Sequence, residues 1–256
     1  MIAVYKGDTA SVEALINAGA KIDIQDKEGR TALMIAAYKG NTASVEALIK
    51  AGAVIDIQGK DGETALIDAA YKGNTASVEA LIKAGAVIDI QGKDGETALI
   101  DAANQGHTAS LEVLINAGAD IDTQGKDGET ALMLAAFDGN TASLEALIQA
   151  GAKIDTQNED DITALMIASK KGETANVEAL INAGAKLETQ DKKGYTALMK
   201  AVYKGDTASL ELLINAGAKL EAQDKDGNTA LMIAVYKGDT ASVEALINAG
   251  ANIEAQ

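Results

Sequence analysis

The 256-residue chain has no cysteine, no proline and no tryptophan, one histidine (His107), six tyrosines and one phenylalanine. Without cysteine there is no disulfide framework, no thiolate zinc or iron–sulfur site and no cysteine nucleophile. One imidazole leaves almost no acid–base chemistry centred near neutral pH. Basic residues are outnumbered, 22 Lys and Arg against 38 Asp and Glu, and the formal charge of −16 has the wrong sign for binding nucleic acid or anionic membranes. Apolar runs stay far below the roughly 20 residues that span a bilayer, and no basic start with an apolar h-region opens the chain. These absences predict an intracellular protein, cytoplasmic or nuclear, with no membrane insertion. An aromatic content of 3% is also too low for one ordinary core in a chain this long.

What is abundant is repetition. Gly29, Gly62, Gly95, Gly128, Gly194 and Gly227 fall on a 33-residue grid that only Asp161 interrupts. The chain divides into a partial repeat 1–25 and full repeats 26–58, 59–91, 92–124, 125–157, 158–190, 191–223 and 224–256, together one domain, 1–256.

Residues 26–58 show the logic of a unit. DKEGR carries a glycine suited to positive φ, hence a tight turn. Thr31 offers an N-cap to a first helix whose small residues Ala32, Ala36 and Ala37 permit close packing. Gly40 suits a left-handed helix end, Asn41 a cap for the next helix, and Val45, Leu48 and Ile49 an apolar stripe at i, i+3, i+4. At Asp161, aspartate tolerates the left-handed region better than most residues. About five buried aliphatic side chains per unit, roughly 1.5 to 3 kcal/mol each, do not offset an ordering cost of about 1 to 2 kcal/mol per residue, so a lone unit is predicted to be unfolded.

The period and the string G-x-T-A-L-M-x-A-A-x-x-G-x-x-x-x-V-E-A-L-I-x-A-G-A-x-I-D resemble the ankyrin repeat over the whole chain. The family's T-P-L-H stands here as T-A-L-M or T-A-L-I, so its proline and its inter-repeat histidine are missing. The resemblance implies an all-α solenoid of stacked helix-turn-helix repeats with protruding β-turn or hairpin loops. It also implies a concave groove of first helices and turn tips, in which members of the family bind proteins.

Scatter among the copies points to the same surface. It concentrates at the turn tip (including Ile162 and Tyr195), at one first-helix position (including Leu134, Ile167 and Lys200), and in two adjacent columns near that helix's end. The first-helix position holds Ile, Asp or Lys by turns, which argues against deep core. One later column reads Tyr5, Tyr38, Tyr71, Asn104, Phe137, Lys170, Tyr203, Tyr236 and takes six of the seven aromatics. Aromatics with few rotamers suit an interface, although duplication alone would also copy them. The four columns sum to +3, which assigns the acidity to the back, to the second-helix glutamates and the loop acids Asp23 to Glu254. Residues 134–203 concentrate apolar and basic groups and form the best epitope-like patch.

Chemistry is sparse. His107 stands where a helix cap or an inter-repeat hydrogen bond is expected, the G-K-D-G-E-T strings lack the P-loop order, and the acidic turns do not match an EF-hand. No catalytic, metal or cofactor site is predicted; among the paired carboxylates only Asp68 and Asp101, one repeat apart on the groove, stand out. Residues 1–20 repeat 232–251 and neither end shows a polar cap, which fits either a segment of a longer array or an engineered or recombined one. The expected function is therefore non-enzymatic binding of a protein surface or peptide in the groove. The alternative is a structural spacer, or an array that associates end to end through its terminal repeats.

Overall fold

A computed structural model describes residues 1–254; the last two positions of the expected repeat 224–256 lie outside the described residues. Thr31 has extended backbone, φ −86° and ψ 170°, and its hydroxyl accepts from the Met34 N–H at 3.3 Å. That satisfies one of the four donors a helix start leaves unpaired. Thr64, Thr97, Thr130, Thr163, Thr196 and Thr229 act alike. In two repeats the methionine in the pattern's histidine place answers back, with Met34 and Met232 Sδ at 3.5 Å from the Thr31 and Thr229 N–H.

The chain forms two compact units, each described by itself. Met1–Lys126 contains α1 (Ile2–Tyr5), α2 (Thr9–Asn17), α3 (Ala32–Lys39), α4 (Thr42–Lys50), α5 (Ala65–Tyr71), α6 (Thr75–Lys83), α7 (Ala98–Asn104) and α8 (Thr108–Asn116). From Asp127 onward come α9 (Ala131–Phe137), α10 (Thr141–Gln149), α11 (Ala164–Lys171), α12 (Thr174–Asn182), α13 (Ala197–Lys204), α14 (Thr207–Asn215), α15 (Ala230–Lys237) and α16 (Thr240–Asn248). Within each unit odd-numbered helices pack on odd and even on even, and each odd helix packs on the even one after it, so every unit is a stack of helix pairs.

The core is aliphatic. Leu33, Met34, Leu48, Leu66 and Ile67 are among the largest fully buried side chains, and alanines such as Ala36, Ala69 and Ala135 let first helices touch. Buried serine hydroxyls and half-buried threonine hydroxyls stitch successive repeats: Thr9 to Ser44 at 3.0 Å, Thr42 to Ser77 at 3.1 Å and Thr75 to Ser110 at 2.9 Å. Asn176 fills the serine place in its repeat, where Nδ2 donates to Ala135 O at 3.4 Å while Oδ1 is buried without a partner.

Asn41 does not cap α4 as expected. Its Nδ2 donates instead to Val4 O at 2.9 Å in the preceding repeat, and Asn74 Nδ2 reaches Ala37 O at 2.7 Å. The amide is a second donor to these carbonyls, which also accept from the Gly7 and Gly40 N–H groups, and so ties the end of one first helix to the next repeat. Asp8, Asn140, Asp206 and Asp239 in the same place do cap, each accepting from a serine N–H three residues on.

The tips are hydrogen-bonded turns rather than hairpins, and no strand occurs among the described residues. Asp26 N donates to Arg30 O, and Lys60 N donates to Glu28 O at 3.0 Å, which joins one tip to the next. This joint explains the glycine grid: Gly29 has φ 81°, and a Cβ there would lie 2.8 Å from Lys60 N. Asp161 adopts φ 60° in the glycine place, in keeping with its sequence; Asp127, at φ 59° beside Gly128, was not anticipated.

Candidate functional site

Tips and first helices share one recessed face in each unit. In Met1–Lys126, Tyr38, Asp61, Glu63, Asp68, Tyr71, Asp94, Glu96 and Asp101 line a cavity of about 290 Å³. From Asp127 onward, Lys170, Lys193, Tyr195, Lys200 and Tyr203 line one of about 210 Å³.

The aromatic column is solvent-facing: Tyr5, Tyr38, Tyr71, Phe137, Tyr203 and Tyr236 are exposed large side chains, and Asn104 is half-buried. Four of these rings are not idle, because the lysine of the following repeat sits over them. Lys39 Nζ lies 4.3 Å from the Tyr5 ring centre, Lys72 4.6 Å from Tyr38, Lys171 3.6 Å from Phe137 and Lys237 4.4 Å from Tyr203. Cation–π contacts at exposed sites contribute about 0.5–1 kcal/mol each, so the copied Tyr-Lys pair has a structural use in addition to any ligand.

The first-helix column is a correction. Leu134 is 8% exposed, Ile167 9% and Asp101 5%, so this column is largely buried instead of facing solvent. Its residues lie in the first helical turn, tucked behind the tip of their own repeat: Lys200 Nζ reaches Asp191 Oδ2 at 2.5 Å, nine residues back. The Lys200 ammonium also stands 4.9 Å from the Tyr195 ring. Burial pushes Asp191 up, yet the bond from Lys200 and the N–H groups of Tyr195 and Lys193 together hold it below the usual carboxylate range. Ile162 and Tyr195 on their tips are half-buried, whereas Lys170 is exposed.

The net of +3 does not describe Met1–Lys126, because Asp61 and Asp94 face the same cavity as Glu63, Glu96, Asp68 and Asp101. Burial, then Asp61, Glu96 and Asp94, pushes Glu63 up to about 7. Burial, then Glu63 and Asp61, pushes Asp68 up to about 8. Burial pushes Asp101 well above the carboxylate range, and its hydrogen bond with Glu96 adds to the shift, since two carboxyl groups bond to each other only when they share a proton. Glu63 Oε2 is buried without a hydrogen-bond partner.

His107 occupies the N-cap position of α8 without a side-chain cap bond, its ring packed so near Gly73 that a Cβ there would lie 2.5 Å from Nδ1. No group of three or more metal-ligating side chains is placed to hold an ion among the described residues. Nor is any described helix long and apolar enough to cross a membrane. The loop acids are more than solvated charge. Asp23 Oδ1 accepts from Val54 N at 3.1 Å, Asp56 from Val87 N at 3.1 Å and Glu188 from Lys219 N at 2.8 Å, so each ties its loop to the next repeat. Their recurrence at one place in every copy was the signal for this bond, and it reads equally well as surface patterning.

The repeated helix pairs joined by hydrogen-bonded tips define the class, a helical repeat protein. The model of a family described as ankyrin repeats (3 copies) matches residues 1–92, 78–158, 99–191 and 165–256, and the chain belongs to the ankyrin-repeat family. Ankyrin repeats are generally protein-interaction modules and typically not enzymes. No curated protein matches the chain.

Proposed function

We propose that residues 1–256 form one ankyrin-repeat domain that acts inside the cell as a non-enzymatic binding module. It takes a protein surface or peptide on the tip and first-helix face. Phe137, Ile162, Lys170, Tyr195, Lys200 and Tyr203 carry the contact in the Asp127 onward unit, and Tyr5, Tyr38, Tyr71 and Asn104 are the corresponding residues of the other. Tyr236 closes the column, and the buried Leu134 and Ile167 support the face from beneath. The observation that carries the reading is the row of exposed aromatics beside recessed cavities, since rigid rings contribute contact area at small entropic cost.

The test is recovery of partners from cell extract by the full chain. Changing Tyr38, Phe137 and Tyr203 to Ala abolishes recovery, while changing the exposed second-helix Glu46 and Glu145 to Lys leaves it intact. The opposite pattern removes the face from consideration. The alternative, a spacer with no ligand, draws on the lysine ladder over the rings, which gives those aromatics a purpose without a partner.

A further inference from the structure

We propose that the face built by Lys170, Lys193, Tyr195 and Tyr203 takes an acidic segment of a partner protein, an extended peptide whose carboxylates pair with the two lysines while a neighbouring side chain lies on the tyrosines. This rests on the binding role argued above and adds the chemistry of the occupant.

The argument turns on which charges are already engaged. In the Asp127 onward unit, Lys200 is bonded to Asp191, Lys171 stands over Phe137, and Lys237 stands over Tyr203 and donates to its carbonyl. Lys192 and Lys186 pair with Asp160 at 3.8 Å and Asp155 at 3.7 Å. Lys170 and Lys193 differ: both are exposed, both line the 210 Å³ cavity, and neither ammonium has an ion pair, hydrogen bond or ring contact.

The charged residues that line this cavity are all lysines. Asp191 serves Lys200 and two backbone N–H groups, and Asp224 accepts from the Asn228 and Asp226 N–H groups and the Asn228 amide. Asp224 and Asp226 act on Tyr195 from the next tip, so the positive charge is confined to the cavity wall where Lys170 and Lys193 stand unpaired, in a chain of net charge −16. At physiological salt the Debye length is about 8 Å, so a carboxylate seated in the cavity feels these lysines most strongly and the remoter acidic surface weakly. The cavity is below the roughly 300 Å³ at which enclosed small-molecule sites begin, and its size suits one or two side chains of a longer strand.

The test is selection of random peptides of about 12 residues, displayed on phage, against the full chain, followed by fluorescence anisotropy of the selected sequences. Sequences whose affinity falls at least about tenfold in Tyr203→Ala are expected to be rich in Asp and Glu. They should also lose about tenfold or more in the exposed double variant Lys170→Glu/Lys193→Glu, whose fold is checked by circular dichroism, and weaken as salt rises. If Tyr203-dependent sequences are neutral or basic, or ignore the double variant, the acidic partner is overturned while the face remains a binding surface. If no selected sequence depends on Tyr203, the binding role of the face falls, and this inference with it.

Discussion

Asp101 carries the sharpest consequence at the scale of single residues. Glu63, Asp68 and Asp101 all have their values raised in the folded chain, Glu63 to about 7 and Asp68 to about 8. The folded state therefore holds more protons than the unfolded one above about pH 4. The stability these groups contribute is complete below their unfolded values and is lost as pH rises through 7 to 8. Urea unfolding is expected to show Met1–Lys126 less stable at pH 8.5 than at pH 5.5, with Asp68→Asn/Asp101→Asn removing most of that difference. A profile that rises with pH would contradict the shared proton. Asn176 makes another residue-scale prediction: Asn176→Ser removes an unpartnered buried carbonyl oxygen and restores the hydroxyl used elsewhere, and should gain about 1–3 kcal/mol. A loss on urea unfolding would show that the amide is needed. The sequence singled out Asp68 and Asp101 as a pair but not their burial, because a position that is Ile in one copy and Asp in another reads as exposed unless a proton is allowed for.

For the elements, the account rests on bonds between repeats. Asn74→Ala removes the side-chain donor to Ala37 O and should cost about 0.5–1.5 kcal/mol, and Asp56→Ala, which frees Val87 N, a similar amount. Both are read from denaturation midpoints, and neutral variants would show that water replaces these bonds. A synthetic peptide of residues 59–91 should give a coil-like circular dichroism spectrum, since its two helices, Ala65–Tyr71 and Thr75–Lys83, are shorter than the roughly 12 to 15 residues at which isolated helices become marginal. Helix limits were legible in Thr31 and Gly40, whose roles depend on local geometry alone. The direction of Asn41 was not, because an amide at a helix start can accept from its own helix or donate to the one before, and the partner lies 37 residues away.

The whole molecule adds what no single repeat contains. Repetition and the low aromatic content together announced a distributed aliphatic core, and the burial of Leu33, Met34 and Leu48 beside exposed tyrosines agrees with it. The sign of the face was less legible. Summing columns hid an acidic cavity in Met1–Lys126 and a basic one in the other unit, since tip residues such as Asp61, Asp94 and Lys193 lie outside the scattering columns yet face the same cavities. The most direct test of the binding role is calorimetric titration of a recovered partner into the wild-type chain, the Phe137→Ala/Tyr203→Ala variant and the Glu46→Lys/Glu145→Lys variant. The account predicts a loss of about tenfold or more for the aromatic variant and little change for the glutamate variant. Full affinity in the aromatic variant, with loss in the glutamate variant, would contradict it.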